Sequence, residues 1–367
     1  MFQVNFRVPS KKIMQMEKPG AIILTNGILL HSDAKTAHGL IRGTERFCIV
    51  GVIDDVYAGN DAGELLDGRH RNIPVYGTIE EAVNSVADIR YCIIGIATIG
   101  GILPESFIPL IETAIRRGMH IVNGLHDFLG DRHRLVSLAA DNWVDLIDIR
   151  RPKLRADLHF WTGKIFDVKA KIVAVLGMDC AMGKRTTCRM IREACTARGI
   201  HAEMIYTGQT GWLQGGRFGF IFDSTLNDFI SGEVEYSIVS CSEQTGAEII
   251  LLEGQSALRN PSGPAGSEFL VSGNARYTVL VYAPKRKHYE HLPEWGEIPS
   301  LESEIELIGL YGSKVIAVAL NTEDCSDEEA YYYQQEFSSR LDLPVLLPLQ
   351  QGVDEIIDVF RSILQSS

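Results

Sequence analysis

The stretch from Ile172 to Thr187, IVAVLGMDCAMGKRTT, carries the residue types and spacing best suited to chemistry. An apolar run leads into Gly177, five residues intervene, and Gly183 and Lys184 then open a helical pattern. Gly183 lacks a Cβ, so the chain can turn there close to a ligand. A helix start offers unpaired N–H groups and a partial positive charge, which suit phosphate oxygens. Lys184 adds an ammonium to the same anion. The spacing is near that of a Walker A loop, which has four residues between its glycines and a Ser or Thr after the lysine. Here Arg185 follows the lysine, and Thr186 stands ~100° further around the helix. The loop predicts a phosphate site built from Gly177, Asp179, Cys180, Gly183, Lys184, Arg185, Thr186 and Thr187. It speaks less strongly for magnesium-dependent cleavage of a triphosphate. Asp179 would repel phosphate unless it turned away, either toward a second substrate or metal or to cap a backbone turn.

Other reactive residues stand where apolar runs end. Glu253 closes the run Glu248–Leu252, the place of a Walker B acid. It could hold a metal-bound water, act as a general base, or simply finish a hydrogen-bonded strand. Gln255 follows it, and the polar turn Thr207–Gly211, with Gln209, follows Ala202–Tyr206. Between these lie Asp223, Asp228, Glu233 and Glu235. Asp228 and Glu235 share a face if their segment is helical, a reading that Gly232 weakens. Solvated helix charges explain these acids equally well. Gly124–Asp127, with Asp131 and His133, reads as a polar loop, and no metal site is expected because the spacing fits no ligand rule. Lys35 and Arg42 could bind an anion from a helix after the first strand.

These residues need a scaffold, and the chain supplies an alternation of β-branched apolar runs with helical patterns, the rhythm of parallel sheets covered on both faces. Strands are expected at Ala21–Leu24, Phe47–Ile53, Tyr91–Ala97 and His120–Asn123, with helices at Ile79–Val86 and Ser106–Arg117. The rhythm breaks over 150–170, where Pro152, clustered charges and Gly163 predict a connector. It restarts with strands at Lys171–Leu176, Ala202–Tyr206, Glu248–Leu252, Tyr277–Tyr282, Val315–Leu320 and Pro344–Leu347. Helices are expected at Lys184–Arg198 and Val353–Leu364. The expected class is α/β, with a Rossmann-like parallel sheet in 1–160 followed by a P-loop NTPase-like parallel sheet in 161–367.

Bulk properties narrow the function. A length of 367 residues points to two domains, and a net charge of −12 argues against a general nucleic-acid or anionic-membrane binder. Seven cysteines, an odd number without a CxxC pair, point to a reducing compartment rather than a disulfide or zinc framework. Met1–Lys12 lacks the apolar core of a secretory signal, and no apolar run approaches ~18 residues. A cytoplasmic location, a small-molecule substrate and a homo-oligomer are expected.

Several segments, in order, resemble the D-glutamate N-acetyltransferase (DgcN-like) family, long classed as a domain of unknown function. They are Ala34-Lys35-Thr36-Ala37 with Gly39, Gly124–Leu129, Gly177–Cys180 with Gly183-Lys184 and Thr186-Thr187, and Thr207–Gly211. Asp223, Asp228-Phe229, Gly232–Glu235 and Glu253-Gly254-Gln255 continue the match. The chain departs from the pattern at Asn260, where His is expected, and at Met178, where Thr is favoured in related synthetase loops. The resemblance implies a Rossmann-like domain, a P-loop domain, and acetyl transfer from acetyl-CoA to the amine of a D-amino acid. The P-loop would then hold the CoA phosphates. Under that reading Glu253 or Asp228 accepts the amine proton, Gln209 or Gln255 donates to the oxyanion, and Gln255, Arg259 and Asp223 contact the acceptor, with Arg276 a further candidate for its carboxylates. Two other readings remain open: an ATP- and magnesium-dependent ligase or kinase, and a nucleotide-binding regulator without catalysis.

Overall fold

The structure is a computed structural model and describes residues 18–365; the segment Met1–Lys12 lies outside the described residues. The first half forms a sheet of β1 (Gly20–Leu24), β2 (Cys48–Ile53), β3 (Val75–Tyr76), β4 (Ile89–Ile94), β5 (His120–Asn123) and β6 (Leu146–Asp148). Its order is β3-β2-β1-β4-β5-β6 and every pairing is parallel. Helices α1 (Lys35–Arg42), α2 (Ala62–Asp67), α3 (Ile79–Ser85), α4 (Ile108–Arg116) and α5 (His133–Asp141) cover the sheet. This is the doubly wound arrangement, with its switch point between β1 and β4.

The second half contains β7 (Lys171–Gly177), β8 (Ala202–Tyr206), β9 (Phe218–Gly219), β10 (Ile249–Glu253), β11 (Tyr277–Tyr282), β12 (Lys314–Leu320) and β13 (Val345–Leu346). Their order is β13-β12-β11-β7-β10-β8-β9, again parallel throughout. The phosphate-loop strand β7 is therefore central, flanked by β10 and β11. It is buried from Ile172 to Gly177, as its unbroken apolar run requires. Helices α6 (Lys184–Ala197), α7 (Gln209–Leu213), α8 (Asn227–Thr245), α9 (Ser267–Val271), α10 (Leu301–Leu310), α11 (Asp327–Leu341) and α12 (Ile356–Gln365) complete the domain. On α6, Cys188, Ile191 and Cys195 all point into the core, as their spacing predicts. Among the described residues no helix is long and apolar enough to cross a membrane.

The expected connector is an irregular strap between β6 and β7, and α8 holds it. Glu233 is fully buried and accepts hydrogen bonds from the Lys153 ammonium (2.6 Å) and the His159 main-chain N–H (2.9 Å). Buried Glu235 accepts from the Thr162 N–H (2.6 Å) and hydroxyl (2.9 Å) and the Ile165 N–H (3.1 Å). Reading these two acids as solvated helix charges is thus corrected: they supply acceptors to a strap that has no sheet partner. Gly232, which weakened the helix expectation, lies inside α8 because the strap's His159 carbonyl passes where a side chain would stand. Glu235→Ala leaves two main-chain N–H groups without their acceptor. We expect it to destabilise the protein by about 2–4 kcal/mol, measured by urea unfolding, and to expose the strap to limited proteolysis.

Candidate functional site

The loop after β7 forms a cradle. From Asp179 to Thr186 no main-chain N–H has an acceptor among the described residues, whereas Met178 and Thr187 on either side are bonded to Val281 and Gly183 carbonyls. Gly183 adopts φ +94°, which ends the loop where α6 begins, and Ala181 takes φ +52° two residues before it. Such a run of free amides at the start of a helix suits an anion. The Lys184 side chain is buried, crosses Gly177, and donates to the carbonyls of Asp179 (2.6 Å) and Ser256 (2.7 Å). Burial lowers its pKa below the ordinary lysine value, against the pull of Cys180, Asp179 and Glu253. Ser256 holds the strained φ of +39° where its carbonyl meets Lys184.

Asp179 does not plug this cradle. Its fully buried carboxylate accepts from the Arg286 guanidinium (2.9 Å), the Glu290 main-chain N–H (2.7 Å) and the Asn260 amide (2.9 Å). Arg286 also donates to the Cys180 carbonyl (2.7 Å) and makes a two-pronged pair with Glu323 (2.6 and 2.7 Å). The sequence offered a second substrate, a metal or a turn cap for Asp179; the structure makes it a buried anchor for Arg286, Asn260 and the Glu290 N–H, and it also brings ligand atoms of Asp179, Cys180 and Glu290 within 4.8 Å of one another, a grouping that could hold a metal ion. Asn260, the departure from the family pattern, serves that anchor. Its carbonyl accepts from Ser262 N–H (2.9 Å) while its amide donates to Asp179. Cys180 lies beside Ser256 and Asn260, and burial pushes its thiol pKa up, which disfavours a thiolate.

Glu253 ends β10 next to the cradle. One carboxylate oxygen accepts from the Thr207 N–H (3.2 Å), and the Thr207 hydroxyl donates to the Glu253 carbonyl (2.7 Å). The second carboxylate oxygen has no donor among the described residues. Burial raises the Glu253 pKa, against the pull of Arg185, the Thr207 N–H and Lys184. A carboxylate raised toward neutral pH is a better proton acceptor for catalysis. The Gln255 amide donates to the Thr207 hydroxyl (2.9 Å), which fixes its side chain in the same corner.

The two sheets present their carboxyl ends to one another. Arg150, just beyond β6, donates to the Gly124 carbonyl (2.9 Å) after β5 and to Gln209 Oε1 (2.9 Å) at the start of α7. It also pairs with Asp223 (2.8 Å). Gln209 keeps its own amide N–H groups without an acceptor among the described residues. Gly39 on α1 approaches so closely that an added Cβ would stand 2.9 Å from both Arg185 Nη2 and Thr210 Cγ2. The Gln214 amide donates to the carbonyls of Gly39 (2.7 Å) and Gly43 (3.1 Å), and Leu213 is buried within the N-terminal core. Residues of both domains thus meet around the start of α7.

Several expected residues are placed otherwise. Arg259, expected at the acceptor's carboxylates, is bound to buried Glu304 (2.7 Å) and the Ser303 hydroxyl (3.0 Å), since α10 brings a carboxylate it cannot leave unpaired. Arg276 is exposed beyond α9. Asp223 is neutralised by Arg150 and lies 3.7 Å from His126. Asp228 stands exposed on the first turn of α8 and makes no bond to the Glu253 corner. Arg185 keeps its main-chain N–H in the cradle, and its guanidinium reaches α1, Nη2 lying 2.9 Å from where a Gly39 Cβ would stand. Lys35 is exposed, and Arg42 pairs with Asp67 (3.6 Å). Asp127 pairs with Arg132 (2.8 Å) and Asp131 with Arg151 (2.8 Å), the behaviour of a polar loop. Sequence reasoning missed Arg286 and Arg150. Neither carries a spacing signal, because each meets its partners only through tertiary folding.

Residues 159–357 match the family model described as a domain of unknown function (DUF1611_C), P-loop domain, and residues 56–152 match the corresponding Rossmann-like domain, DUF1611_N. A D-glutamate N-acetyltransferase from Pseudoalteromonas sp is 34% identical over 273 residues, covering 72% of this chain and 79% of that protein. A D-glutamate N-acetyltransferase from Tritonibacter scottomollicae is 28% identical over 294 residues, covering 78% of this chain and 85% of that protein. The crystal structure of a DUF1611 family protein from Anabaena variabilis ATCC 29413 superposes with a TM-score of 0.86 at 27% identity, over 94% of this chain and all of that one. A Rossmann-like sheet, a central phosphate-type loop and matches in both halves agree: the chain belongs to the DUF1611 family.

Proposed function

We propose that this enzyme transfers an acetyl group from acetyl-CoA to the amine of a D-amino acid such as D-glutamate, with the diphosphate of CoA held by the loop Asp179–Thr186. The observation that carries this reading is the row of main-chain amides without protein acceptors, closed by the Lys184 ammonium. The names of two relatives that each align with more than seventy per cent of the chain supply the acetyl chemistry. The loop suits a diphosphate that needs no metal for its reaction, because Arg185 stands where a magnesium-binding hydroxyl would. An amino group is largely protonated at neutral pH, so a base must act first. Glu253 accepts that proton, the nitrogen attacks the thioester carbonyl, the N–C bond forms and the C–S bond breaks. The CoA sulfur leaves with the electron pair and takes up the second amine proton, released as the tetrahedral intermediate collapses, so that it departs as the thiol while Glu253 keeps the first proton. The free amide of Gln209 donates to the oxygen that gains charge.

Purified protein titrated with acetyl-CoA and, separately, with Mg-ATP, then assayed for thiol release over a panel of D- and L-amino acids, tests the reading. Thiol release that depends on a D-amino acid supports it. Turnover of ATP with no acetyl transfer makes the protein a ligase or kinase, and tight binding without turnover makes it a regulator. Lys184→Ala should weaken acetyl-CoA binding roughly 10- to 100-fold by calorimetry, the effect of removing a charged hydrogen-bond donor. Undiminished affinity would remove the loop from the donor site.

A further inference from the structure

Arg185 and Glu253 border the same turn, the start of α7: Arg185 Nη2 and Thr210 Cγ2 each lie 2.9 Å from where a Gly39 Cβ would stand, and Glu253 Oε2 lies 2.9 Å from where a Gly211 Cβ would stand. Arg185 is the second residue of α6, and its half-buried guanidinium lies against Gly39 of the N-terminal domain. It makes no hydrogen bond or ion pair among the described residues. The other arginines around it are committed. Arg42 pairs with Asp67 (3.6 Å), Arg189 with Glu45 (2.9 Å), and Arg150 with Asp223 (2.8 Å). Burial lowers the Arg185 pKa, Glu253 opposes that change, and Arg189 and Arg42 add to it. Among the described residues Arg185 thus has no ion pair of its own, and Glu253 offsets part of the cost of its burial. Glu253 has one carboxylate oxygen bonded to the Thr207 N–H and the other without a donor.

Two opposite charges beside one turn, neither bonded to the other, suit a molecule that carries both charges. An α-amino acid is such a molecule: its ammonium and carboxylate are attached to one carbon. We propose that Arg185 and Glu253 together form the recognition site for the α-amino-acid end of the acceptor. The α-carboxylate lies on the Arg185 guanidinium, and the amine lies on the free oxygen of Glu253. A planar fork matches a carboxylate through two parallel bonds, which fixes orientation as well as supplying attraction. Arg259 and Arg276 leave this role open, the first being held by Glu304 and the second exposed. Each half of the zwitterion satisfies one partner that the folded protein leaves unsatisfied. Gly39 gives the arrangement a further logic, because a side chain there would strike the guanidinium and displace it. The N-terminal domain therefore acts as the back wall that sets the Arg185 rotamer.

This inference rests on the acetyl-transfer reading for the role of the amine, and the experiment separates the two. Wild type and Arg185→Gln are assayed with acetyl-CoA and two acceptors, D-glutamate and 4-aminobutyrate, which has an amine and a distal carboxylate but no α-carboxylate. The expected result is a loss in Arg185→Gln of roughly 10- to 100-fold in kcat/KM for D-glutamate, mostly through KM. KM for acetyl-CoA should be unchanged, and 4-aminobutyrate should show no further loss, so the preference between acceptors collapses. A raised KM for acetyl-CoA with the acceptor preference intact would overturn the inference and place Arg185 on a donor phosphate. If Arg185→Gln does not fold, Arg185→Lys replaces it: the fork is lost while the charge stays, and the same collapse of preference is expected. If wild type acetylates no amine, the functional reading fails by itself. Calorimetry of D-glutamate against wild type and the variant then decides the inference, equal affinities overturning it and lost affinity supporting it.

Discussion

Glu253→Gln should lower kcat for acetyl transfer by roughly 100- to 10,000-fold, the contribution of a positioned general base, while acetyl-CoA affinity stays near the wild-type value. The amide keeps the shape and still accepts from the Thr207 N–H through its oxygen, so the strand end remains tied. It cannot accept the substrate's proton. Burial holds the Glu253 carboxyl above its ordinary value of 4.5, with Arg185 pulling the other way. The sign of the pH dependence follows. Activity needs the ionised form, so kcat/KM should fall as pH drops through a pKa raised above 4.5, and that limb should vanish from the residual activity of the variant. Stability runs in the opposite sense. A carboxyl whose folded pKa is raised binds its proton more tightly in the native state, so the cost of its charge is relieved as pH falls through the folded value. The variant should accordingly be as stable as wild type or slightly more so at neutral pH. Lost activity together with preserved unfolding free energy would identify a chemical role; lost stability of equal size would make Glu253 a structural strand terminus.

Asp179→Ala should cost about 3–5 kcal/mol of stability, the penalty for removing one member of a buried ion pair. The carboxylate is fully buried and receives Arg286, the Glu290 N–H and Asn260. Truncation leaves a nearly buried guanidinium with one carboxylate, Glu323, in place of two, and leaves a main-chain N–H without an acceptor. Arg286 also holds the Cys180 carbonyl, so the loop loses its outer brace as well. Urea unfolding measures the first effect. Acetyl-CoA titration measures the second, expected as weaker binding because the amides are no longer preset. Asp179→Asn keeps one acceptor oxygen and should lose less. A cost below about 1 kcal/mol for the alanine variant would contradict the anchoring role.

Much of this arrangement was legible from local pattern. The run Ile172–Leu176, the glycines of the loop and the Cys188, Ile191, Cys195 face appear in the structure as strand, turn and inward helix face. Periodicity and backbone freedom act over a few residues, so they can be read from neighbours alone. The short edge strands β3, β6 and β9 were not legible as strands, since two or three residues carry too little alternation, whereas the equally short β13 lies in the apolar run Val345–Leu347 and was expected there. Glu253 was legible as a strand end, but not its raised pKa, which arises from everything packed around it.

The sequence by itself determined two parallel sheets, a phosphate-type loop on the second, and the family whose pattern both halves follow. Only the tertiary structure decided which charged residues remain available to a ligand. Asp179 meets Arg286 across 107 residues, Arg259 meets Glu304 across 45, and Gln209 meets Arg150 across 59. Every charge must find a partner or water on folding, and the partner is chosen by distance in space, a quantity that sequence spacing beyond one helical turn does not encode.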